Sequence, residues 1–140
     1  MILTLIIIVS LNSVNVANFP TPQGKGTIIV AEMTLRRGAT RMMMPSYPEE
    51  SEKNGTRGVA VAQIEINARG DVDQVDVLES PDAAIKDSVS SAVKQWRFQP
   101  QTIQGEPVRI RGKLTFYFVI DQSGRGKVEN PKQPKTVSPN

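Results

Sequence analysis

The strict alternation of residues 108–120 constrains the fold more than any other feature of the sequence. Every even position holds an apolar residue or glycine, and the odd positions from Arg109 to Tyr117 hold polar, cationic or amphipathic side chains. A period of two is typical of a β-strand with one buried and one exposed face. The segment therefore predicts a long strand whose buried face must be covered by another layer.

An earlier segment predicts a β-hairpin. Residues 59–67 alternate, and their apolar face consists of Ala60, Ala62, Ile64 and Ile66. A turn around Gly70 and Asp71 follows, and residues 72–79 return as the second strand. Because Val72 is out of phase with the later valines of that strand, we expect a bulge near the turn.

Residues 80–96 carry the signals of an amphipathic helix. Ser80 is predicted to be its N-cap, with Asp82 near the positive end of the helix dipole, and Pro100 lies beyond its end. The apolar stripe at helical spacing consists of Ile85, Val89, Ala92, Val93 and Trp96. A second, shorter helix is predicted directly after Pro48.

Geometry orders the three strands. A helix of roughly 15 residues is ~22 Å long, so it carries the chain back to the start of the second strand. The third strand then runs parallel to the second, and in an antiparallel sheet it can pair only with the first. The predicted fold class is α+β: a three-stranded antiparallel sheet in the order second–first–third, with one long and one short helix packed on one face.

The third strand is therefore predicted to be an edge strand with backbone groups open to another chain. Strand addition to such an edge is a common way to bind an extended peptide. The exposed face would present Arg109, Arg111, Lys113, Thr115 and Tyr117. Its cationic side chains either guard the edge against self-association or meet an acidic partner strand, and both roles stay open.

The composition argues against an enzyme. The 140 residues include no cysteine and no histidine, so thiolate nucleophiles, the usual general base and the commonest transition-metal ligand are missing. Asp71, Asp73 and Asp76 have the spacing of part of a cation loop, but Val75 occupies the place of a third alternating ligand. We therefore predict no catalytic residue, no metal and no cofactor.

The charge gives little reason to expect a nucleic-acid partner. The net charge of +3 equals that of residues 122–140, with four basic residues and one acidic, so residues 1–121 are neutral. Residues 122–140 are also rich in proline and glycine and are predicted to be a disordered tail. A binding or mechanical role through the patterned middle of the chain is the favoured interpretation.

The first 44 residues are predicted to lie outside the domain. Residues 1–17 start with an apolar run shorter than the ~20 residues that a membrane span requires, so we predict a secretory signal or a short membrane anchor. Residues 18–44 are predicted to be a linker, with a strand within it over residues 27–35. The domain itself would span residues 45–121.

That domain contains an ordered set of motifs. They are Tyr47-Pro48, Gly58 before the first strand, Gly70 at the turn, and Trp96-Arg97-Phe98-Gln99-Pro100 after the helix. In this order, the motifs resemble the C-terminal domain of TonB-family energy transducers. Trp96 and Phe98 are expected mainly to pack the helix against the sheet.

The resemblance implies a periplasmic protein, exported or anchored to the inner membrane, that couples the proton-motive force to outer-membrane transporters. In that family the domain adds a short extended segment of the transporter, the TonB box, to the edge of its sheet, and the matching strand here is 108–120. The resemblance also implies contacts to that segment from Met44, in the region before the Tyr-Pro motif, and from Tyr47. It further implies inner-membrane motor proteins as partners. A non-transducing envelope scaffold, similar to TolA-type domains, is the alternative.

Overall fold

The structure is a computed structural model that describes residues 26–131 of the chain. The helices in this range are α1 (Glu32–Arg37), α2 (Glu49–Lys53) and α3 (Ala83–Val93). The strands are β1 (Thr27–Ile29), β2 (Ala39–Arg41), β3 (Gly58–Ile66), β4 (Val72–Glu79), β5 (Arg97–Phe98), β6 (Thr102–Ile103), β7 (Glu106–Pro107), β8 (Arg109–Ile120) and β9 (Gly126–Glu129). The predicted α+β class is confirmed, and the predicted signal or anchor over residues 1–17 lies outside the described residues.

The main sheet is built around β3 and β8, the two strands with the clearest alternation. β3 lies between β4 and β8 and runs antiparallel to both. Its ladder with β8 is unbroken from Gly58, paired with Phe118, to Ile66, paired with Ile110. The register between β3 and β4 shifts where Ile66 meets Val72, so the predicted bulge near the turn is confirmed.

The predicted three-stranded sheet is wrong in its number of strands. On the side of β8 that faces away from β3, β1 pairs in parallel with the start of β8 and β9 pairs antiparallel with its end. β8 is therefore not the outermost strand at either end. β1 falls within the strand predicted over residues 27–35, but its pairing with β8 was not predicted, and β9 was missed because a segment of four residues is too short to show a period.

The predicted count of two helices is also wrong, because the segment after β1 folds as α1 instead of continuing as a strand to Leu35. Leu35 is buried in the core, and Glu32 forms an ion pair with Arg36 one helical turn later. The helical spacing of these three residues lets α1 bury Leu35 and pair Glu32 with Arg36 at the same time. The predicted linker over residues 18–44 is therefore folded in its described part, residues 26–44, which contains β1, α1 and β2.

The predicted disordered tail is wrong over residues 126–129, which form β9. A turn precedes β9, in which the carboxylate of Asp121 accepts hydrogen bonds from two backbone amides. The hydrogen bond from the Ser123 hydroxyl first, and then those from the backbone amides, hold the pKa of the Asp121 carboxyl below its usual value. Residues 132–140 of the predicted tail lie outside the described residues.

The core lies between the main sheet and α3. Alternate residues of β3 and β8 point into it, together with the apolar stripe of α3. Trp96 and Phe98 are both buried there, and Trp96 makes an edge contact with Phe116 with 6.2 Å between the ring centroids. Both aromatic residues of the signature thus pack the helical layer against the sheet.

Gly70 joins the hairpin turn to the segment that follows α3. Its φ is +93°, and a Cβ at this position would overlap the carbonyl oxygen of Phe98. The backbone amide of Phe98 in turn donates to the carbonyl oxygen of Gly70 at 2.8 Å. The turn therefore requires glycine both for its backbone conformation and for space.

α3 begins with a different cap from the predicted one. Asp82, not Ser80, is the N-cap residue, and its carboxylate accepts a hydrogen bond from the Ile85 amide at 2.7 Å. The buried hydroxyl of Ser51 in α2 donates to the other oxygen of the same carboxylate at 2.6 Å. Burial opposes ionisation of Asp82, but these hydrogen bonds outweigh it and lower its pKa below the usual value.

We predict that Asp82→Ala lowers the free energy of unfolding by about 1–2 kcal/mol at neutral pH, because α3 loses its cap and Ser51 loses its acceptor. The folded state favours the ionised carboxylate, so this stabilisation is present above the usual Asp pKa of about 4 and is lost as the pH falls through the lower native value. Urea unfolding of both proteins at about pH 7 and about pH 3 measures the difference, which should shrink in acid.

Asp87→Ala is the control for this prediction, because Asp87 lies on the exposed side of the same helix. It should change the free energy of unfolding by less than about 0.5 kcal/mol. An equal loss from Asp82→Ala at both pH values would contradict the role of the ionised cap.

Candidate functional site

The candidate site is the edge of β8 that faces away from β3. Three segments of the same chain lie along it. β1 covers Arg109–Arg111, α1 lies beside the middle of the strand, and β9 covers Tyr117–Ile120. The prediction that this edge is open along its length is therefore wrong, because segments outside the patterned domain fold back onto it.

We call residues 26–37, which contain β1 and α1, the N-terminal arm. Its strand pairs with the first three residues of β8, and the amide of Val30 extends the pairing by donating to the carbonyl oxygen of Arg111 at 3.0 Å. Its helix buries Leu35 beside Gly112, where an added Cβ would lie 3.0 Å from Leu35 Cδ2. The absence of a side chain at Gly112 leaves the space that the arm occupies.

Two side chains of α1 satisfy the outward backbone groups of Thr115. The Glu32 carboxylate accepts hydrogen bonds from the Thr115 amide at 2.7 Å and from the Thr115 hydroxyl at 2.9 Å. Arg36 donates to the Thr115 carbonyl oxygen at 2.7 Å. The guanidinium also lies over the rings of Phe116 and Trp96, 5.3 and 5.6 Å from their centroids. We refer to Glu32 and Arg36 as the clamp.

β9 is held in place by the Tyr47-Pro48 motif and by α2. The Tyr47 ring packs edge-on against Phe118, with 5.3 Å between the ring centroids. It also lies so close to Gly126 that an added Cβ there would be 2.5 Å from the ring. Glu52 accepts a hydrogen bond from the Gly126 amide at 2.7 Å. Burial first, and then nearby carboxylates, raise the pKa of Tyr47, so its hydroxyl stays protonated.

Two of the predicted cationic contact residues are paired within the sheet. Arg109 lies 3.0 Å from Asp73 and 3.7 Å from Glu65, and Arg111 donates from Nε to Glu65 at 2.9 Å. Lys113 is exposed. The antiparallel register places Glu65 opposite Arg111, and this opposition could have indicated the pair from the sequence once the strands were aligned.

The remaining predicted contact residues lie in separate places. Tyr117 is 38% exposed and lines a cleft of about 430 Å³ near the end of β9. Met44 is 42% exposed and lines a different cleft, of about 350 Å³, with Ser88 of α3. The structure therefore places Met44 beside α3, while Tyr47 lies under β9.

A cleft of about 410 Å³ lies beside the junction of β1 and α1, and its lining includes Glu32, Lys113 and Gln63 of β3. Among residues 26–131, no strand pairs with residues 112–116 on this side of β8. The edge is thus covered by short, separate pieces instead of one continuous strand.

The acidic residues near the hairpin turn do not form a metal site. Asp71 lies 3.2 Å from Arg97, and Asp73 is paired with Arg109. In the part of the chain that the structure describes, no group of three or more carboxylates could hold a metal ion. No helix of that part is long and apolar enough to span a membrane.

Comparisons with known proteins agree on the patterned domain. The family model described as Gram-negative bacterial TonB protein C-terminal matches residues 43–120. Protein TonB of Vibrio cholerae serotype O1 is 30% identical over 80 residues, which are 56% of this chain and 33% of that protein. Protein TonB of Pseudomonas aeruginosa is 31% identical over 83 residues, which are 59% of this chain and 24% of that protein. The chain thus spans about a third of the length of the Vibrio protein and about a quarter of the length of the Pseudomonas protein.

A solved structure has a similar fold. The solution NMR structure of the Pseudomonas aeruginosa TonB CTD has a TM-score of 0.52 and 30% sequence identity to this chain. The similarity covers 60% of this chain and 86% of that one. The N-terminal arm and β9 both lie outside residues 43–120, so the segments that cover the β8 edge are not part of the matched family region.

We predict that Gly126→Ala weakens the pairing of β9 with β8, because a Cβ has no room beside the Tyr47 ring. Amide protons at the end of β8 should exchange faster with solvent, and the free energy of unfolding should fall by about 1–3 kcal/mol. Lys127→Ala is the control, since this neighbouring side chain is exposed and its ion pair with Glu129 should contribute less than about 1 kcal/mol. Unchanged exchange at the end of β8 in Gly126→Ala would contradict the role of the Tyr47 contact.

Proposed function

Because the chain belongs to the family of Gram-negative bacterial TonB protein C-terminal domains, whose model matches more than half of it, we propose that this domain binds an extended segment of an outer-membrane transporter by strand addition. The acceptor is the outer edge of β8. One observation carries the proposal: β8 has 12 residues, yet within residues 26–131 strands pair with three residues at one end of this edge and four at the other.

The backbone of β8 is suited to accept a strand. The long ladder to β3 holds it in an extended conformation, so a guest meets a rigid template. The amide and the carbonyl oxygen of Thr115 both point away from β3, toward the clamp. A guest strand that replaces the clamp would offer a carbonyl oxygen and an amide to the same two groups.

The opposite edge of the sheet is less suited to strand addition. Its edge strand is β4, and among the described residues no strand pairs with its outer side. β4 carries the carboxylates of Asp73, Asp76 and Glu79 within eight residues. Asp73 is paired with Arg109, so Asp76 and Glu79 are the charges that protect this edge against pairing. Arg109 and Arg111 of β8, by contrast, are both paired with carboxylates of the same sheet. We therefore assign the guest to β8.

The proposal extends to energy-coupled transport across the cell envelope. In it the domain lies in the periplasm, residues 1–17 export the chain or tether it to the inner membrane, and inner-membrane motor proteins act on it. This wider role rests on the likeness to the two TonB proteins, of whose lengths the chain spans about a third and about a quarter, respectively. The proposed role requires no catalytic group, no metal and no cofactor.

We predict that peptides copying TonB boxes of outer-membrane transporters bind this protein and shift the amide NMR signals of β8 and the arm. Each peptide is tested in two versions. One version is N-methylated at its odd-numbered residues and the other at its even-numbered residues. Because only one set of amides in a paired strand faces the template, one version should bind and the other should not. Shifts confined to β4, or equal binding of both versions, would contradict addition to β8.

Two variants of Thr115 locate the guest. Thr115→Pro removes the outward amide and leaves the hydrogen bonds between β8 and β3 in place, so it should weaken peptide binding by roughly tenfold or more. Thr115→Val is the matched control, since it removes the hydroxyl and keeps the amide. If the peptides fail to bind and an envelope extract yields other proteins on the immobilised chain, the scaffold alternative replaces the transporter proposal.

A further inference from the structure

The clamp reproduces the hydrogen bonds of a missing strand residue. In an antiparallel ladder, one residue of the neighbouring strand accepts from an outward amide and donates to the carbonyl oxygen of the same residue. At Thr115 these two roles are divided between the Glu32 carboxylate and the Arg36 guanidinium, each at 2.7 Å. The clamp and a guest strand therefore compete for the same two backbone groups.

The arm is attached by few contacts. β1 has three residues, and α1 has six and lacks a side-chain hydrogen bond at its N-cap. An isolated helix of this length is not stable in water, so α1 depends on its contacts with β8. Those contacts are the clamp and the buried Leu35 beside Gly112. Once the clamp and Leu35 leave β8, the few hydrogen bonds within α1 and its Glu32–Arg36 ion pair are too weak to keep the arm helical.

We infer that the N-terminal arm is a detachable plug on the β8 edge, released when the Glu32–Arg36 clamp leaves Thr115. This inference rests on the proposed function for the identity of the guest, but release of the arm can be measured without one. The cleft beside Lys113 lies at the junction of β1 and α1, next to the part of β8 that no strand of residues 26–131 covers on this side, and gives a guest a place to begin pairing. Affinity for the guest then depends on the fraction of molecules whose arm is open.

The described part of the chain offers a matched control for the clamp. Glu49 and Lys53 form an ion pair at 2.8 Å with the same i,i+4 spacing, on the short helix α2. Both of these side chains are largely exposed, Glu49 at 80% and Lys53 at 73%, whereas Arg36 is 11% exposed and Glu32 22%. Removing either pair changes the composition in the same way, but only the clamp is bonded to β8.

The first experiment compares hydrogen exchange in the full chain with the double variants Glu32→Ala/Arg36→Ala and Glu49→Ala/Lys53→Ala. Loss of the clamp should speed exchange of the Thr115 amide by about tenfold or more and leave the amides of α3 unchanged, as local opening requires. The α2 variant should leave Thr115 unchanged. Equal acceleration of all amides, or no acceleration at Thr115, would overturn the inference.

The second experiment locks the arm with a disulfide. The natural sequence has no cysteine, so Ile29→Cys/Arg111→Cys introduces one pair. These residues are register partners on β1 and β8, and the ~4.8 Å spacing of paired strands lies within the ~4.4–6.8 Å that a disulfide spans. Reduced and oxidised forms of one molecule then differ only in whether the arm can leave, and Arg111→Cys alone controls for the lost arginine.

The lock is read out with the same TonB-box peptides. The reduced form should bind them and the oxidised form should bind roughly tenfold or more weakly, whereas equal affinity of the two forms would overturn the plug. If no form binds any peptide while loss of the clamp still speeds exchange at Thr115, the plug stands and the proposed guest is wrong. The two failures are thus distinguishable.

Discussion

The outward backbone groups of β8 impose the constraint around which the rest of the structure is arranged. A strand of 12 residues presents a row of amides and carbonyl oxygens along each edge, and a buried group without a partner costs about 1–3 kcal/mol. β3 pairs with one edge from Ile110 to Phe118. The other edge is divided among β1, the clamp and β9. Whether these three segments are ordered therefore depends on what is bound to this edge of β8.

The family motifs contribute to this arrangement through packing. Tyr47 lies between Phe118 and β9, so the Tyr-Pro motif stabilises the cover over one end of the edge. Trp96 lies beneath the Arg36 guanidinium and donates from Nε1 to the carbonyl oxygen of Met43 at 2.8 Å. The same tryptophan thus connects the core, the clamp and the chain segment that precedes Tyr47.

The errors of the sequence-based prediction have one physical origin. Hydrophobic periodicity reports which face of an element is buried, and it located β3, β4, α3 and β8 because each is long enough to repeat. It reports nothing about strand edges, since edges are satisfied by backbone groups that every residue carries. The arm and β9 attach through edges, and the contacts of the clamp join residues 79 and 83 positions apart. The N-cap at Asp82 is likewise supported by Ser51, 31 residues away.

By itself, the sequence determined the hairpin, the amphipathic helix, the long alternating strand and the likeness to TonB C-terminal domains. These features follow from local repetition and from motif residues whose order along the chain is sufficient to recognise them. Only the tertiary structure decided that the edge of β8 is occupied, that Arg109 and Arg111 are neutralised by Glu65 and Asp73, and that Tyr47 lies under β9. Each of these features depends on contacts between residues that are far apart in the sequence, and such contacts produce no periodic pattern in a single sequence.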